Sequence, residues 1–417
     1  MKRFSLFALI LFSISAVVGQ DGLSLPPIIC YHGHHAVNTS IPLQRFLQSN
    51  GRAGNADIVY AFDDAVPGSV RNLLELAASA WENVLQSDVP INVAVSWGPS
   101  ANENALASAG PAFFQFNFPN KPNTDALYPI ALAEAIAGVD IPRFNGDNTD
   151  IRINFNSTVN WYFGTDGNPA SDQFDLITVA MHELGHGLGM TSSAEEVNGE
   201  GELGNSGIPI IYDLFLQNNL QNPIFDPVNF PSPSAALLNA FTGNNLFWGG
   251  ANAANALNGE FPKLFAPGTF NRGSSISHLD ETTFAAGDTN SLMTPQLAPG
   301  EAIQVPGPAT VGIMQDIGWP VSDIFTSLPA EIVDESRIRL FPNPAVDEII
   351  LQWVAREKAD TRIQLLDGQG RRLRVQNLQT FTGQNQLRIS VSDLPAGHYY
   401  LQMQVGEQAQ GFPVVKQ

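Results

Sequence analysis

The residues best suited to chemistry lie in one decapeptide, MHELGHGLGM, at residues 181–190. His182 and His186 are four residues apart, so on a helix they share one face and can reach a single ion. Zinc accepts imidazole nitrogen, and a catalytic zinc keeps one position open for water. Glu183 follows the first histidine, where it can take the proton of that water. The spacing therefore predicts a zinc site with Glu183 as its general base.

The flanking residues favour a helix that carries this pair. An apolar segment precedes His182, and Asp172 is suited to cap its start. Three glycines, at 185, 187 and 189, then loosen the backbone and favour a stop. The helix is expected to end there, so that the chain can turn toward a third ligand.

A catalytic zinc usually has three protein ligands. Of the seven histidines, His278 in SSISHLDETTF is the one left between the helix pair and the C-terminal region. Met293 follows it in Ser-Leu-Met-Thr-Pro. An acidic third ligand is the competing arrangement, with these candidates: Glu195, Glu196, Glu200, Glu202, Asp213 and Asp280.

These segments resemble the metzincin superfamily of zinc proteases, although Ser192 stands where the usual third histidine would be. The chain is more similar to the leishmanolysin branch, which inserts a subdomain here, and the likeness covers roughly residues 56–322. It implies that His278 is the distant ligand and Met293 the methionine beneath the site. Leishmanolysins are rich in cysteine and this chain is not, so the insertion at about residues 199–275 must be held differently.

The single cysteine, Cys30, lies close to His32, His34 and His35, and it excludes an internal disulfide. A thiolate can fill the open zinc position and keep water out. Leishmanolysin-like and matrix-type metalloproteases use a propeptide cysteine in this way, and Cys-Tyr-His resembles that switch. Cys30 is thus a candidate latency switch within a propeptide-like segment, residues 20–50. The alternative is an incidental N-terminal tail.

The charge of −20 is uneven along the chain. Residues 1–336 carry 10 basic against 33 acidic side chains, and residues 337–417 carry 10 against 7. The acidic part argues against nucleic acid as a partner, because it would repel phosphates. Solubility in an extracellular medium is the simplest use of these carboxylates, and Ca²⁺ binding is a weaker one, for example in the turn at residues 164–168.

The N-terminus predicts export. Two basic residues precede an apolar run that ends in small residues, which is typical of a signal peptide at residues 1–19. A membrane anchor needs roughly 20 apolar residues, and no later stretch offers them. We therefore expect a secreted, extracellular protein without a transmembrane anchor.

Hydrophobic periodicity predicts an α+β fold followed by a small all-β sandwich, and the resemblance implies that the first part is a zincin/metzincin-like catalytic domain with a long insertion. Residues 99–130 read as mostly loop, and residues 150–155 as an exposed strand, an edge along which substrate could lie. The expected domains are a protease domain at 51–325, a linker at 326–336 and the sandwich at 337–417.

The C-terminal region has its own motifs, Phe-Pro-Asn-Pro from residue 341 and Leu-Pro-Ala-Gly-His-Tyr-Tyr from residue 394. They resemble the type IX secretion sorting domain, which implies contact with secretion machinery, followed by release or attachment to the cell surface. A carbohydrate- or protein-binding module is the alternative for this region.

Together these patterns predict a secreted zinc endopeptidase that acts on proteins or peptides. The alternative is a non-catalytic surface or adhesion protein that retains a zinc-stabilised fold. The presence of Glu183 argues against that alternative, because a structural site needs only its ligands.

Overall fold

The chain is divided into two compact units, Met1–Thr326 and Ser327–Gln417. This computed structural model describes residues 24–33, 35–43, 55–143, 146–204, 207–322, 338–355, 358–367, 371–405 and 408–417. The predicted signal peptide, His34 and the predicted linker lie outside these described residues.

A six-stranded sheet organises the N-terminal unit. Its strands are β1 (Ile28–His32), β3 (Ile58–Phe62), β4 (Ile91–Gly98), β5 (Ala105–Pro111), β8 (Ile151–Asn156) and β15 (Gln296–Leu297), in the spatial order β15-β1-β5-β8-β4-β3. β3, β4 and β8 run parallel to one another, while β5 is antiparallel to both β8 and β1.

Three short two-stranded pairs accompany the main sheet. They are β2 (Thr39–Ile41) with β16 (Glu301–Ile303), β6 (Phe114–Gln115) with β7 (Tyr128–Pro129), and β9 (Trp161–Tyr162) with β10 (Phe174–Asp175).

Two helices pack together behind this sheet, α1 (Gly68–Val84) and α3 (Leu176–Leu188). α1 begins after Pro67, whose fixed φ suits the start of a helix, and its apolar residues recur every three to four positions. The Trp81 indole N–H donates to the carbonyl of Met181 at 2.9 Å, which fastens α1 to α3. The other helices are α2 (Ile130–Ala137), α4 (Ala235–Thr242), α5 (Ala251–Ala256) and α6 (Pro308–Ile317).

The start of α3 corrects one expectation. The N-cap is Asp175 rather than Asp172, and its carboxylate accepts from the Thr178 backbone N–H at 2.9 Å and hydroxyl at 2.7 Å. Gln304 donates to the same oxygen. Asp175 is fully buried. α3 therefore begins later than a cap at Asp172 would place it. Asp175 is the first carboxylate of this segment that is buried in the folded unit.

The position of β8 corrects another expectation. It is an interior strand between β4 and β5 rather than an exposed edge, although its side chains alternate in burial as predicted. The strand beyond it, β5, was expected to be loop. Its sequence, ALASAGP, holds small residues with little β propensity, and burial between two strands decides its conformation.

The N-terminal segment also differs from a tail that precedes the fold. β1 lies inside the main sheet, and β2 pairs with β16.

The predicted insertion packs into the same hydrophobic core as the rest of the unit. Buried aromatic residues such as Tyr212, Phe241 and Trp248 hold it in place, so that it needs no disulfide. Its elements are β11 (Glu195–Val197), β12 (Glu200–Glu202), a 3₁₀ helix (Ile211–Phe215), β13 (Leu216–Asn218), α4, β14 (Leu246–Trp248) and α5.

The C-terminal unit is all-β, as predicted. A three-stranded sheet, β17-β18-β21, and a four-stranded sheet, β20-β19-β22-β23, enclose a core that includes Leu351, Trp353 and Leu401. The strands are β17 (Arg339–Phe341), β18 (Glu348–Ala355), β19 (Ala359–Asp367), β20 (Arg372–Thr380), β21 (Gly383–Ser390), β22 (Gly397–Val405) and β23 (Gln408–Lys416).

Candidate metal centre

Three histidines converge on one point inside the N-terminal unit. The Nε2 atom of His186 lies 2.9 Å from that of His182 and 3.1 Å from that of His278. The third side of the triangle, between His278 and His182, measures 3.3 Å. The structure therefore brings the distant His278 to the helix pair, and the three residues form a group that could hold a metal ion.

The other ring nitrogen of each histidine donates to a backbone carbonyl. His182 Nδ1 donates to Leu292 O at 2.7 Å, His186 Nδ1 to Met190 O at 2.6 Å and His278 Nδ1 to Ser274 O at 2.7 Å. A carbonyl has no proton to give, so each Nδ1 carries the hydrogen and each Nε2 of a neutral ring presents a lone pair. Three lone pairs that face one another could hold a cation between them.

Burial keeps these rings neutral. It lowers the pKa of His182 to about 4 and, together with the charge of His182, that of His278 to about 3. Burial, then the charges of its two neighbours, lowers the pKa of His186 well below its usual value. The donor set is thus three neutral imidazoles at neutral pH, which is the form that binds metal.

Glu183 lies beside the histidines with its charge uncompensated. The side chain is fully buried, and neither carboxylate oxygen has a hydrogen-bond partner among the described residues. Burial alone raises its pKa well above the usual range. An unpaired buried carboxylate costs free energy, which marks Glu183 as a candidate functional residue.

Cys30, in β1, lies beside His182 and Glu183 at one side of the three-histidine group. Its sulfur lies within 4.8 Å of ligand atoms of His182 and Glu183. Burial and then the nearby Glu183 carboxylate raise the pKa of the thiol well above its usual value. A bound metal reverses that effect, because it favours the thiolate. His32 is partly buried and His35 is exposed, and neither belongs to the three-histidine group.

Met293 lies under α3, in a short 3₁₀ helix (Ser291–Met293). A Cβ at Gly185 would come within 2.7 Å of the Met293 sulfur, so the helix and the methionine pack closely there. Leu279 N–H donates to the Met293 carbonyl at 2.8 Å, next to His278. The 3₁₀ helix therefore fixes His182 through Leu292 and the backbone beside His278 through Met293.

The rival acidic ligands are engaged elsewhere. Asp213 is buried and accepts from the hydroxyls of Ser192 and Ser193. Asp280 accepts from Thr282, Thr283 and Lys263.

The glutamates after the helix lie in the β11–β12 hairpin, where Glu195 pairs with Arg272. None of these acids belongs to a metal-ligating group of the described residues. In the turn proposed for Ca²⁺, the Asp166 carboxylate accepts from the Tyr162 hydroxyl and the Asn168 N–H.

A polar network joins Ser192 to the segment that carries the third histidine. No motif in the sequence predicts this network. Ser192 N–H donates to the Ser277 hydroxyl at 2.9 Å, directly before His278, while its own hydroxyl donates to Asp213 at 2.7 Å. The residue at the position of the missing histidine thus helps to support the segment that carries the distant one.

The fold and the site define a mixed α/β unit with a buried three-histidine group, followed by an all-β region. Residues 339–415 match the secretion system C-terminal sorting domain, and residues 55–258 match a family described as SPBPB7E8-like. The chain therefore carries a C-terminal type IX sorting domain, and the protein is secreted through the machinery that this domain contacts. A comparison with curated proteins finds no match.

Two solved structures show short similarities. Dimeric latent PorU from Porphyromonas gingivalis is 18% identical over 19% of this chain and 9% of its own, with a TM-score of 0.17. The CARDB domain of a Pyrococcus furiosus protein in complex with di-metal ions is 11% identical over 21% of this chain and 94% of its own, with a TM-score of 0.16. No helix in the described part of the chain is long and apolar enough to cross a membrane.

Proposed function

We propose that this secreted protein is a zinc-dependent endopeptidase of the HExxH type, with a metzincin-like catalytic unit. The observation that carries the proposal is the triangle of Nε2 atoms, 2.9–3.3 Å on a side, with the unpartnered Glu183 carboxylate beside it. Tetrahedral zinc with nitrogen ligands at about 2.0–2.1 Å separates those nitrogens by roughly 3.4 Å. Three imidazoles and one open position are the donor set of a catalytic zinc.

The residues divide the reaction between them. His182, His186 and His278 would hold the ion, which when bound polarises the scissile carbonyl and makes its water more acidic. Glu183 takes a proton from the attacking water and delivers it to the leaving amine.

A non-catalytic, zinc-stabilised surface protein is the alternative. It would need the three histidines but would gain nothing from Glu183, whose burial without a partner is destabilising. The buried carboxylate therefore favours the enzyme.

The test is Glu183→Gln in a Cys30→Ser background, with casein cleavage and zinc content measured on the same samples. The serine background removes the thiol that is proposed below to hold the enzyme inactive. The amide cannot accept a proton, so we expect full zinc occupancy and a loss of hydrolysis by a factor on the order of 10²–10⁴. Glu195→Gln in the same background, at a glutamate of β11 outside the site, is the matched control and should cleave casein as the Cys30→Ser parent does. Parental activity of the metal-loaded Glu183→Gln protein would rule out the catalytic role.

We further propose that Cys30 keeps the enzyme latent. Its sulfur lies beside His182 and Glu183, where a thiolate can take the position of the reacting water. Cys30→Ser should cleave casein without an added activator, because a hydroxyl is a far poorer zinc ligand than a thiolate. In the wild type, alkylation of the thiol should be slow until chelator is added, and a mercurial, which binds the thiol itself, should release activity. Rapid alkylation of the untreated, inactive protein would contradict the proposal.

A further inference from the structure

β1 lies in a slot with a strand on each side. It runs antiparallel to β5, with Cys30 opposite Ala107, and parallel to β15, with Tyr31 opposite Gln296. Beyond the β5 pairing, Ile29 N–H donates to Gly273 O at 2.8 Å and Tyr31 N–H donates to Pro295 O at 3.2 Å. The backbone of β1 is therefore held in one register from both sides.

Cys30 is the residue of β1 that lies next to the proposed catalytic groups. Its side chain is the one that approaches His182 and Glu183, and its backbone lies between the two hydrogen-bonded amides of Ile29 and Tyr31. Both carboxylate oxygens of Glu183 are buried and unpartnered beside it. An extended peptide held by main-chain hydrogen bonds next to a general base is in the arrangement that peptide hydrolysis requires.

We propose that β1 is a tethered substrate, and that the chain cleaves itself at one of the two peptide bonds flanking residue 30 once the Cys30 thiol is removed. This inference rests on the proposed endopeptidase function. In this view the N-terminal segment lies in the slot as a substrate would, running antiparallel to β5 and parallel to β15.

The reaction consumes one water. The water oxygen bonds to the carbonyl carbon of residue 29 or residue 30, and the C–N bond to the next residue breaks. One water proton passes through Glu183 to the departing nitrogen, and the other leaves the new carboxylic acid and protonates the new amine. The products are a carboxylate at the end of the short N-terminal fragment and an ammonium group at the start of the remaining chain.

The Cys30 thiol is what prevents this reaction in the intact chain, because it stands where the water must enter. A side chain of alanine leaves that space to water while the backbone hydrogen bonds to Gly273 and Pro295 remain. Since strand and site belong to one molecule, the effective concentration is high and the reaction should be first order.

The experiment compares three full-length, zinc-loaded proteins, namely Cys30→Ala, Cys30→Ser and the double variant Cys30→Ala with Glu183→Gln. Intact mass and N-terminal sequencing follow the chain over time at several protein concentrations. Hydrogen exchange at the Ile29 and Tyr31 amides of the uncut double variant provides a measure that does not depend on activity. These amides should exchange slowly, because β1 stays seated.

The expected result is a new N-terminus at residue 30 or 31 in both single variants, at a rate independent of protein concentration, and none in the double variant. If Cys30→Ala cleaves casein but leaves β1 intact, or cuts itself elsewhere or in a concentration-dependent way, the inference is overturned and the proposed function stands. If the zinc-loaded variants cleave neither casein nor themselves, both fail. Fast exchange at the two amides would also overturn the tethered strand.

Discussion

Three backbone carbonyls decide which nitrogen of each histidine faces the others. Those of Met190 and Ser274 lie four residues from the histidines they orient, while Leu292 reaches His182 from a distant segment. Each accepts the Nδ1 hydrogen, which leaves the lone pair of Nε2 available to bind a metal. The site is thus oriented by main-chain groups, which a side-chain substitution elsewhere does not remove.

The third ligand gives a residue-scale prediction. His278→Ala should lower zinc affinity by several orders of magnitude, because one of three protein ligands is lost. Ser192→Ala is the matched control, since Ser192 contacts Asp213 and Ser277 but no Nε2 atom. Equilibrium dialysis against a zinc buffer measures both. Unchanged affinity in His278→Ala, or an equal loss in Ser192→Ala, would contradict the three-histidine assignment.

The spacing of His182 and His186 was sufficient to predict that both imidazoles would meet at one point with Glu183 close by. His278 needed elimination among seven histidines and a family resemblance, because 92 residues separate it from His186. The polar network of Ser192, Asp213 and Ser277 could not be foreseen, since it depends on how the insertion folds back. Sequence spacing reports what one helix can bring together, and not what tertiary packing adds.

At the scale of elements, one face of α3 lies too close to its neighbours to carry side chains. A Cβ at Gly187 would overlap the Ile151 side chain of β8, and one at Gly185 would meet Met293. Glycine therefore lets α3 approach the sheet and the 3₁₀ helix, despite its cost in a helix.

Gly187→Ala should consequently destabilise the protein. Ile151 is β-branched, fully buried in the sheet and unable to move aside, so an overpacking cost of about 1–3 kcal/mol is expected. Gly68→Ala is the control, because the first residue of α1 has open space around its Cβ. Urea unfolding of the two variants should show a lower midpoint for Gly187→Ala only. Equal midpoints would mean that α3 lies farther from β8.

Elements with strong periodicity were predictable, and those defined by their neighbours were not. The apolar residues of α1 recur at helical spacing and those of β4 alternate, so the type of both elements can be read from the sequence. β5 was missed because its alanines and serine carry little strand propensity. The sequence of β1 predicts a propeptide-like segment or a tail, because a short apolar run cannot reveal that two other strands will enclose it.

At the scale of the whole molecule, the two compact units differ in charge. The first unit, residues 1–326, holds 30 acidic against 10 basic side chains, while the second, residues 327–417, holds 10 of each. All three histidines of the metal group lie in the first unit. Metal binding should therefore stabilise that unit and leave the C-terminal one unaffected.

Calorimetry of the full-length protein tests this separation. A ligand that binds only the folded state at about 1,000 times its Kd stabilises it by about 4 kcal/mol. For a unit of this size, that corresponds to a midpoint shift on the order of 10 °C. Chelator should lower one transition by such an amount and leave the transition of the all-β unit in place. In His278→Ala the first transition should already be low and respond little. A shift of both transitions by chelator, or of neither in zinc-loaded wild type, would contradict a metal centre confined to the three histidines.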